Sequence, residues 1–190
     1  MTKMPTIGVL GLQGNVKEHV DMLRRLTKDV RVVKKASQIK GLDGLIIPGG
    51  ESTTILPLLK KYKIDKEIKK ANLPIFGTCA GAVIMAKEIL NMTQDTLELM
   101  DMKVERNAYG RQVDSFETDL KIPKLGKKPI LGVFIRAPVI KHVGKGVEVL
   151  AKQNGDPVLI REGKFLAATF HPELTDDTRV HEYFLNMLEN

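Results

Sequence analysis

Apolar residues follow two rhythms along the first half of the chain. Consecutive apolar runs closed by Gly or Pro, TIGVLGL (6–12), VRVVK (30–34), LDGLIIPGG (42–50) and LPIFGT (73–78), read as buried strands. Between them NVKEHVDMLRRL (15–26) spaces Val16, Val20, Leu23 and Leu26 at helical intervals. STTILPLLKKY, with Ser52 as N-cap, IDKEIKKA and AGAVIMAKEIL supply further helical segments. Strand and helix alternate, which predicts an α/β fold of three layers, α/β/α, whose mostly parallel central sheet is covered on both faces.

The rhythm changes after residue 91. TLELMDMKVERN, VDSFETDL, PILGVFIRAPVI and VEVLAKQNGDPVLIREGKFLAATF are strand-like runs broken by Gly, Pro and Asn-Gly, and they predict antiparallel strands added at the sheet edge. TDDTRVHEYFLNMLEN reads as a capped amphipathic helix. Repeats, low-complexity tracts and linkers are absent, so residues 1–190 are expected to form one domain.

Composition narrows the class. The chain has 43% hydrophobic residues, enough for one sizeable core, and one cysteine, which excludes an internal disulfide framework and fits a reducing compartment. MTKMPTIGVLGLQGN has no signal-peptide pattern, and no apolar run reaches the roughly 20 residues of a membrane span, so a cytoplasmic protein is expected. The net charge of +7 is diffuse apart from KKYKIDKEIKK (60–70), which reads as a solvated helix face or as a docking surface for an acidic partner. Aromatics make up 5% and Trp is absent, which argues against a nucleic-acid surface with interleaved stacking residues.

The chemistry-bearing residues stand at the ends of strands. The lone cysteine, Cys79, lies in FGTCAGAVIMA (76–86), where a strand gives way to a helix through Gly77-Thr-Cys-Ala-Gly81. That is the G-x-nucleophile-x-G elbow with Cys in place of Ser, and a helix N-terminus there favours a thiolate and leaves the Ala80 amide to stabilise an oxyanion. A small buried thiol is the alternative. A thiol nucleophile needs a base. His171 follows the strand KFLAATF, and Glu173 stands two residues on, on the same side of an extended chain, so that the carboxylate can hold the imidazole. Read alone, His-Pro-Glu is also a loop with a hydrogen-bonded histidine. His19 and His181 fall in helical patterns and are expected at the surface; His142 follows a strand with no obvious partner. IIPGGES (46–52) and GLQGN (11–15) also end strands; each reads as a glycine turn or as a ligand loop, with Gln13 as a candidate donor.

Together GLQGN, PGGEST, GTCAGA and FHPEL resemble the class I (triad) glutamine amidotransferase family, from near residue 6 to the C-terminal helix. The combination is most similar to the branch of glutaminases that serve pyridoxal 5′-phosphate synthases. Many class I members carry Gln soon after the second elbow glycine; here Ala82, Val83 and Ile84 follow Gly81. The resemblance implies a flavodoxin-like fold and the hydrolysis of L-glutamine to glutamate and ammonia. It implies Cys79 as nucleophile, His171 as base and Glu173 as its orienting group, with a glutamyl thioester between. Gly50, Glu51, Ser52, Arg106, Ile135 and Arg136 are implied as substrate contacts, and Gly49, Ala80 and Gln13 around the oxyanion. Residue chemistry is consistent with the arginines, since a guanidinium fork matches the α-carboxylate of an amino acid. The resemblance further implies no cofactor, no metal, and a hetero-oligomer with a TIM-barrel synthase subunit that receives the ammonia.

Overall fold

The computed structural model describes residues 4–108 and 115–189. Residues 109–114, which include the end of KVERNAYGRQ and the start of VDSFETDL, lie outside the described residues. Four strands, β1 (Thr6–Leu10), β2 (Asp29–Val33), β3 (Gly44–Ile47) and β4 (Ile75–Thr78), alternate with α1 (Val16–Arg24), α2 (Ser52–Lys61) and α3 (Ile64–Ala71), then α4 (Ala80–Met85). The second half carries β5 (Ala86–Ile89), β6 (Met100–Glu105), β7 (Ser115–Leu120), β8 (Ile130–Ile135), β9 (Val139–Val143), β10 (Glu148–Gln153), β11 (Asp156–Glu162) and β12 (Phe165–Ala168), and ends in α5 (Arg179–Met187).

Seven strands form the central sheet in the order β10-β11-β12-β4-β3-β1-β2. The five from β12 to β2 pair in parallel, and β11 runs against both its neighbours. β1, β3 and β4 are buried throughout, as expected of parallel strands covered on both faces. Side chains alternate between two cores. Ile7, Val9 and Ile46 pack with Val20 and Leu23 of α1 and Val180 and Phe184 of α5. Leu45 and Ile47 pack with Ile55, Leu59, Ile64, Ile68 and Val83 of α2, α3 and α4. This is the expected three-layer arrangement.

The second half departs from expectation in two ways. β5, β6 and β9 form a separate three-stranded sheet and β7 and β8 a two-stranded one; only β10 and β11 extend the edge of the main sheet. β12 is not an edge strand. It lies inside the sheet, parallel to β4, with Ala168 opposite Thr78. AGAVIMAKEIL is also not one helix: six residues are helical, and Ala86–Ile89 pair with β6. All six helical residues are buried, so there is no polar face from which the helix end could be read.

KKYKIDKEIKK buries Ile64 and Ile68 and leaves its lysines exposed, as both readings of the segment require. Ser52 is the first residue of α2 rather than its cap; Glu51 precedes the helix, and the Ser52 Oγ is buried facing Gln94 Oε1 at 3.5 Å. Thr178 precedes α5, but Asp177 Oδ1 accepts the Arg179 N–H at 3.1 Å. Among the described residues no helix is long and apolar enough to cross a membrane.

Candidate active site

Cys79 sits at the turn from β4 into α4 with φ 50° and ψ −107°, a conformation L-residues rarely adopt. Strain of this kind costs of order 1–3 kcal/mol and persists only where the surroundings impose it. Here they do. The Cys79 N–H donates to Ala168 O at 2.8 Å, across from β12. Gly81 packs so tightly on β3 that a Cβ would lie 2.0 Å from Ile47 O. The elbow therefore aims the thiol out of the sheet's carboxyl edge, where Sγ lies 3.7 Å from Ile135 O. Ala80 opens α4, so its amide belongs to the first turn, which has no acceptor within the helix.

Because β12 adjoins β4, the chain leaving it arrives beside Cys79. The His171 N–H donates to Val133 O at 2.8 Å, pinning the residue after the strand, and Pro172 opens a single helical turn that brings Glu173 round. His171 Nδ1 donates to Glu173 Oε1 at 2.7 Å, and both side chains are buried. Nδ1 thus faces the carboxylate, leaving Nε2 for the thiol. Burial alone would lower the His171 pKa. Hydrogen bonding and charge from Cys79 and Glu173 outweigh it and raise the value to about 10. Glu173 is buried too, yet the neighbouring His19 and His171 and a hydrogen bond from Asn15 hold it down to about 2. Gly49 closes this wall: a Cβ there would lie 2.5 Å from His171 Cε1 and 3.3 Å from Cys79 Cβ.

A cleft of about 320 Å³ opens over the thiol. Gln13, Gly50, Glu51, Ser52, Ala80, Arg106, Ile135, Arg136 and His171 border it together with Cys79. Their present partners differ from a ready binding site. Arg106 Nη2 forms an ion pair with Glu51 Oε1, and Arg106 Nη1 lies 2.9 Å from Met92 Sδ. Gln13 Oε1 accepts the Glu51 N–H at 2.7 Å. The Gly49 amide, expected near the oxyanion, donates instead to Thr78 Oγ1 at 3.1 Å, and Gly49 O accepts the Asn15 N–H at 2.9 Å. Gly49 in this state is an anchored residue beneath the cleft, not a donor into it.

Sequence reasoning missed three site neighbours. Asn15 Nδ2 lies 3.1 Å from Glu173 Oε1 and 3.3 Å from His171 Nδ1. His19 and His181, expected at the surface, are both fully buried, and they meet each other behind Glu173, with His19 Nδ1 2.9 Å from His181 Nε2. The signal was present: His19 lies three residues after Val16 and four before Leu23, on the apolar stripe of α1, and His181 lies three before buried Phe184. His142 is exposed on β9. Among the described residues no group of three or more His, Cys, Asp or Glu is arranged to hold a metal ion.

An elbow cysteine beside a histidine–carboxylate pair, at the carboxyl edge of a doubly wound sheet, defines a class: proteins equipped for nucleophilic attack on a carbonyl carbon. Comparison with known proteins gives the particular member. The model of the SNO glutamine amidotransferase family matches residues 9–190, and the chain belongs to that family. It is 54% identical over 186 residues to the pyridoxal 5′-phosphate synthase subunit PdxT of Thermotoga neapolitana, covering 96% of this chain and 99% of that one. The corresponding subunit of Thermus thermophilus is 50% identical over 95% of this chain. A crystal structure of a glutamine amidotransferase superposes with a TM-score of 0.91 at 49% identity, over 97% of this chain and all of the other.

Proposed function

We propose that this chain, as a single domain spanning residues 1–190, hydrolyses L-glutamine to L-glutamate and ammonia as the glutaminase subunit of a pyridoxal 5′-phosphate synthase. The observation that carries the reading is the buried line from Glu173 through His171 to Cys79 at the floor of an open cleft. Curated relatives of 50–54% identity, named as subunits of that synthase, support the assignment.

The chemistry follows from the contacts. His171, its pKa raised to about 10, already holds at Nε2 the proton drawn from the thiol, and Cys79 Sγ attacks the carboxamide carbon of glutamine. Glu173, on Nδ1, stabilises the imidazolium so formed. The C–N bond breaks as His171 returns that proton to the nitrogen, which leaves as ammonia, and a glutamyl thioester remains. Water, deprotonated by the now neutral His171, then attacks the thioester; glutamate leaves, the Cys79 sulfur is released and the proton stays on His171, which restores the starting pair. The Ala80 amide is assigned to the developing oxyanion, with Gly50 and Gln13 beside it at the rim of the cleft. Arg106 and Arg136 fit the α-carboxylate, and Glu51 the α-ammonium, with Ser52 and Ile135 completing the wall. No step calls for a cofactor. The ammonia is delivered to a TIM-barrel synthase subunit docked on this chain in a cytoplasmic hetero-oligomer.

The test is glutamate release from L-glutamine, with and without that synthase subunit. Release that rises on adding the subunit and vanishes in Cys79→Ala supports the reading. Release indifferent to the subunit keeps the chemistry and removes the partner; release that survives Cys79→Ala overturns the triad.

A further inference from the structure

The proposed mechanism uses one oxygen of Glu173 and leaves the other in a buried place. Oε1 takes His171 and Asn15. Oε2 is buried with no partner at hydrogen-bond distance, and facing it at 3.6 Å is Nε2 of His19. The same Nε2 lies 3.0 Å from Thr78 Oγ1, which accepts the Gly49 N–H. His19 Nδ1 meets His181 Nε2 at 2.9 Å, and His181 Nδ1 is buried with no partner. Two histidines, one hydroxyl and one carboxylate oxygen thus form a closed chain inside the protein.

The protons in that chain can be placed. Burial keeps both imidazoles below the ordinary histidine value, so each carries one proton at neutral pH. A carboxylate only accepts. With His19 protonated at Nδ1, its bare Nε2 would face Glu173 lone pair to lone pair. His181 would then have to accept at Nε2 and bury an N–H at Nδ1 with no acceptor. With His19 protonated at Nε2, the same proton serves Thr78 Oγ1 and leans to Glu173 Oε2, while His181 Nε2–H donates to His19 Nδ1. A bare acceptor nitrogen on His181 and the Thr78 hydroxyl proton are then left over, so what selects this tautomer is the carboxylate oxygen facing Nε2, which accepts and cannot donate.

We propose that His19 is a positioning residue for both halves of the site: its Nε2–H, fixed in that tautomer by His181, donates to the Thr78 hydroxyl that anchors Gly49 and sets its positive end against the outer oxygen of Glu173. The inference rests on the glutaminase reading and deepens it. His19 touches neither substrate nor thiol. It keeps Oε1 turned to His171 and keeps the Gly49 loop seated, so its loss lowers turnover rather than affinity.

Nitrogen-15 NMR of the histidine-labelled full-length chain tests the tautomer directly, and His19 is expected protonated at Nε2 and bare at Nδ1. Kinetics on glutamine, with the synthase subunit present, test the role. His19→Leu is expected to lower kcat roughly tenfold, the equivalent of one hydrogen bond to Thr78 together with the N–H dipole facing a buried carboxylate, with KM within about twofold. His19→Gln, whose amide nitrogen can reach the place of Nε2, is expected to restore most of kcat. If His19→Leu does not fold, His181→Phe serves in its place: it removes the donor to Nδ1, so His19 should show a mixture of tautomers and a smaller fall in kcat. A wild-type His19 protonated at Nδ1 in an active chain overturns the inference alone, as does a His181→Phe protein with an unchanged His19 tautomer. So do Leu and Gln variants of equal kcat. A wild-type chain that releases no glutamate overturns the glutaminase reading and the inference with it.

Discussion

The two walls of the cleft are built on opposite plans. On one side Cys79, His171 and Glu173 are all less than a tenth exposed, and each is tied to the sheet or the helices behind it. On the other, the Glu51 side chain is 48% exposed and its ion pair is with Arg106, the very residue expected to bind substrate. On the first wall the three reacting groups already stand together. The second must exchange an internal pair for contacts with glutamine. The difference separates two tasks: turnover is set by groups preorganised in a low-dielectric interior, and affinity by groups that water still screens. Changes on the first wall should therefore appear in kcat, and changes on the second in KM.

The largest effect is expected at Cys79. Cys79→Ala should lower glutamate release by at least about 10³-fold while leaving the far-ultraviolet dichroism unchanged, because Ala fits the space. Glu173→Gln comes next, at about 10²–10⁴-fold in kcat, since the amide cannot balance the imidazolium. Both variants also act on stability, and in opposite pH ranges. Glu173 titrates near 4.5 when unfolded and about 2 when folded, so its contribution is present above pH 4.5 and is lost as pH falls from 4.5 towards 2. His171 goes the other way, from 6.5 unfolded to about 10 folded; its contribution is full below pH 6.5 and is lost as pH rises from 6.5 towards 10. Denaturant unfolding across pH should show a plateau between 4.5 and 6.5 for the wild type. Cys79→Ala should flatten the alkaline fall, because Cys79 heads the influences that oppose burial at His171. Glu173→Gln should remove its share of the acid fall. An alkaline limb unchanged in Cys79→Ala would break the claim that this wall is wired together.

Much of the first wall was legible in the chain because its signals are local. The elbow is five consecutive residues, and His171 and Glu173 are two apart after a clear strand. What joins them was not legible. That β12 adds in parallel beside β4, rather than at the edge, depends on a pairing between residues 75–78 and 165–168, ninety residues distant. The parting of AKEI from the α4 helix has the same cause, a pairing with β6. Asn15 was hidden because its role depends on Glu173, 158 residues away. The two histidines were misplaced for another reason: their positions on the apolar stripes were legible, but the partners that satisfy two buried imidazoles, each other and Thr78, were not. The pairing of Arg106 with Glu51, across 55 residues, was equally invisible, and it bears on the weaker wall.

That pair supplies the two smallest expected effects. Arg106→Ala removes the charge-assisted contact to the α-carboxylate proposed above, worth roughly 1.5–3 kcal/mol, and should raise KM for glutamine about 10- to 100-fold with kcat within a few-fold. Glu51→Gln has two opposed consequences. It frees the Arg106 fork, which favours the substrate's carboxylate, and it removes the charge that would meet the substrate's ammonium. Glu51 is half exposed, so neither consequence is large, and the lost ion pair should cost stability no more than about 1 kcal/mol. The expected result is a KM within about threefold of wild type and an unchanged kcat, by steady-state kinetics with the synthase subunit present. If Glu51→Gln instead lowers kcat as far as Glu173→Gln does, Glu51 belongs with the preorganised groups. The division of the cleft into a reacting wall and a binding wall would then be wrong at the one residue where the two meet, since the Glu51 N–H is itself held by Gln13 at the edge of the Gly49–Gly50 turn.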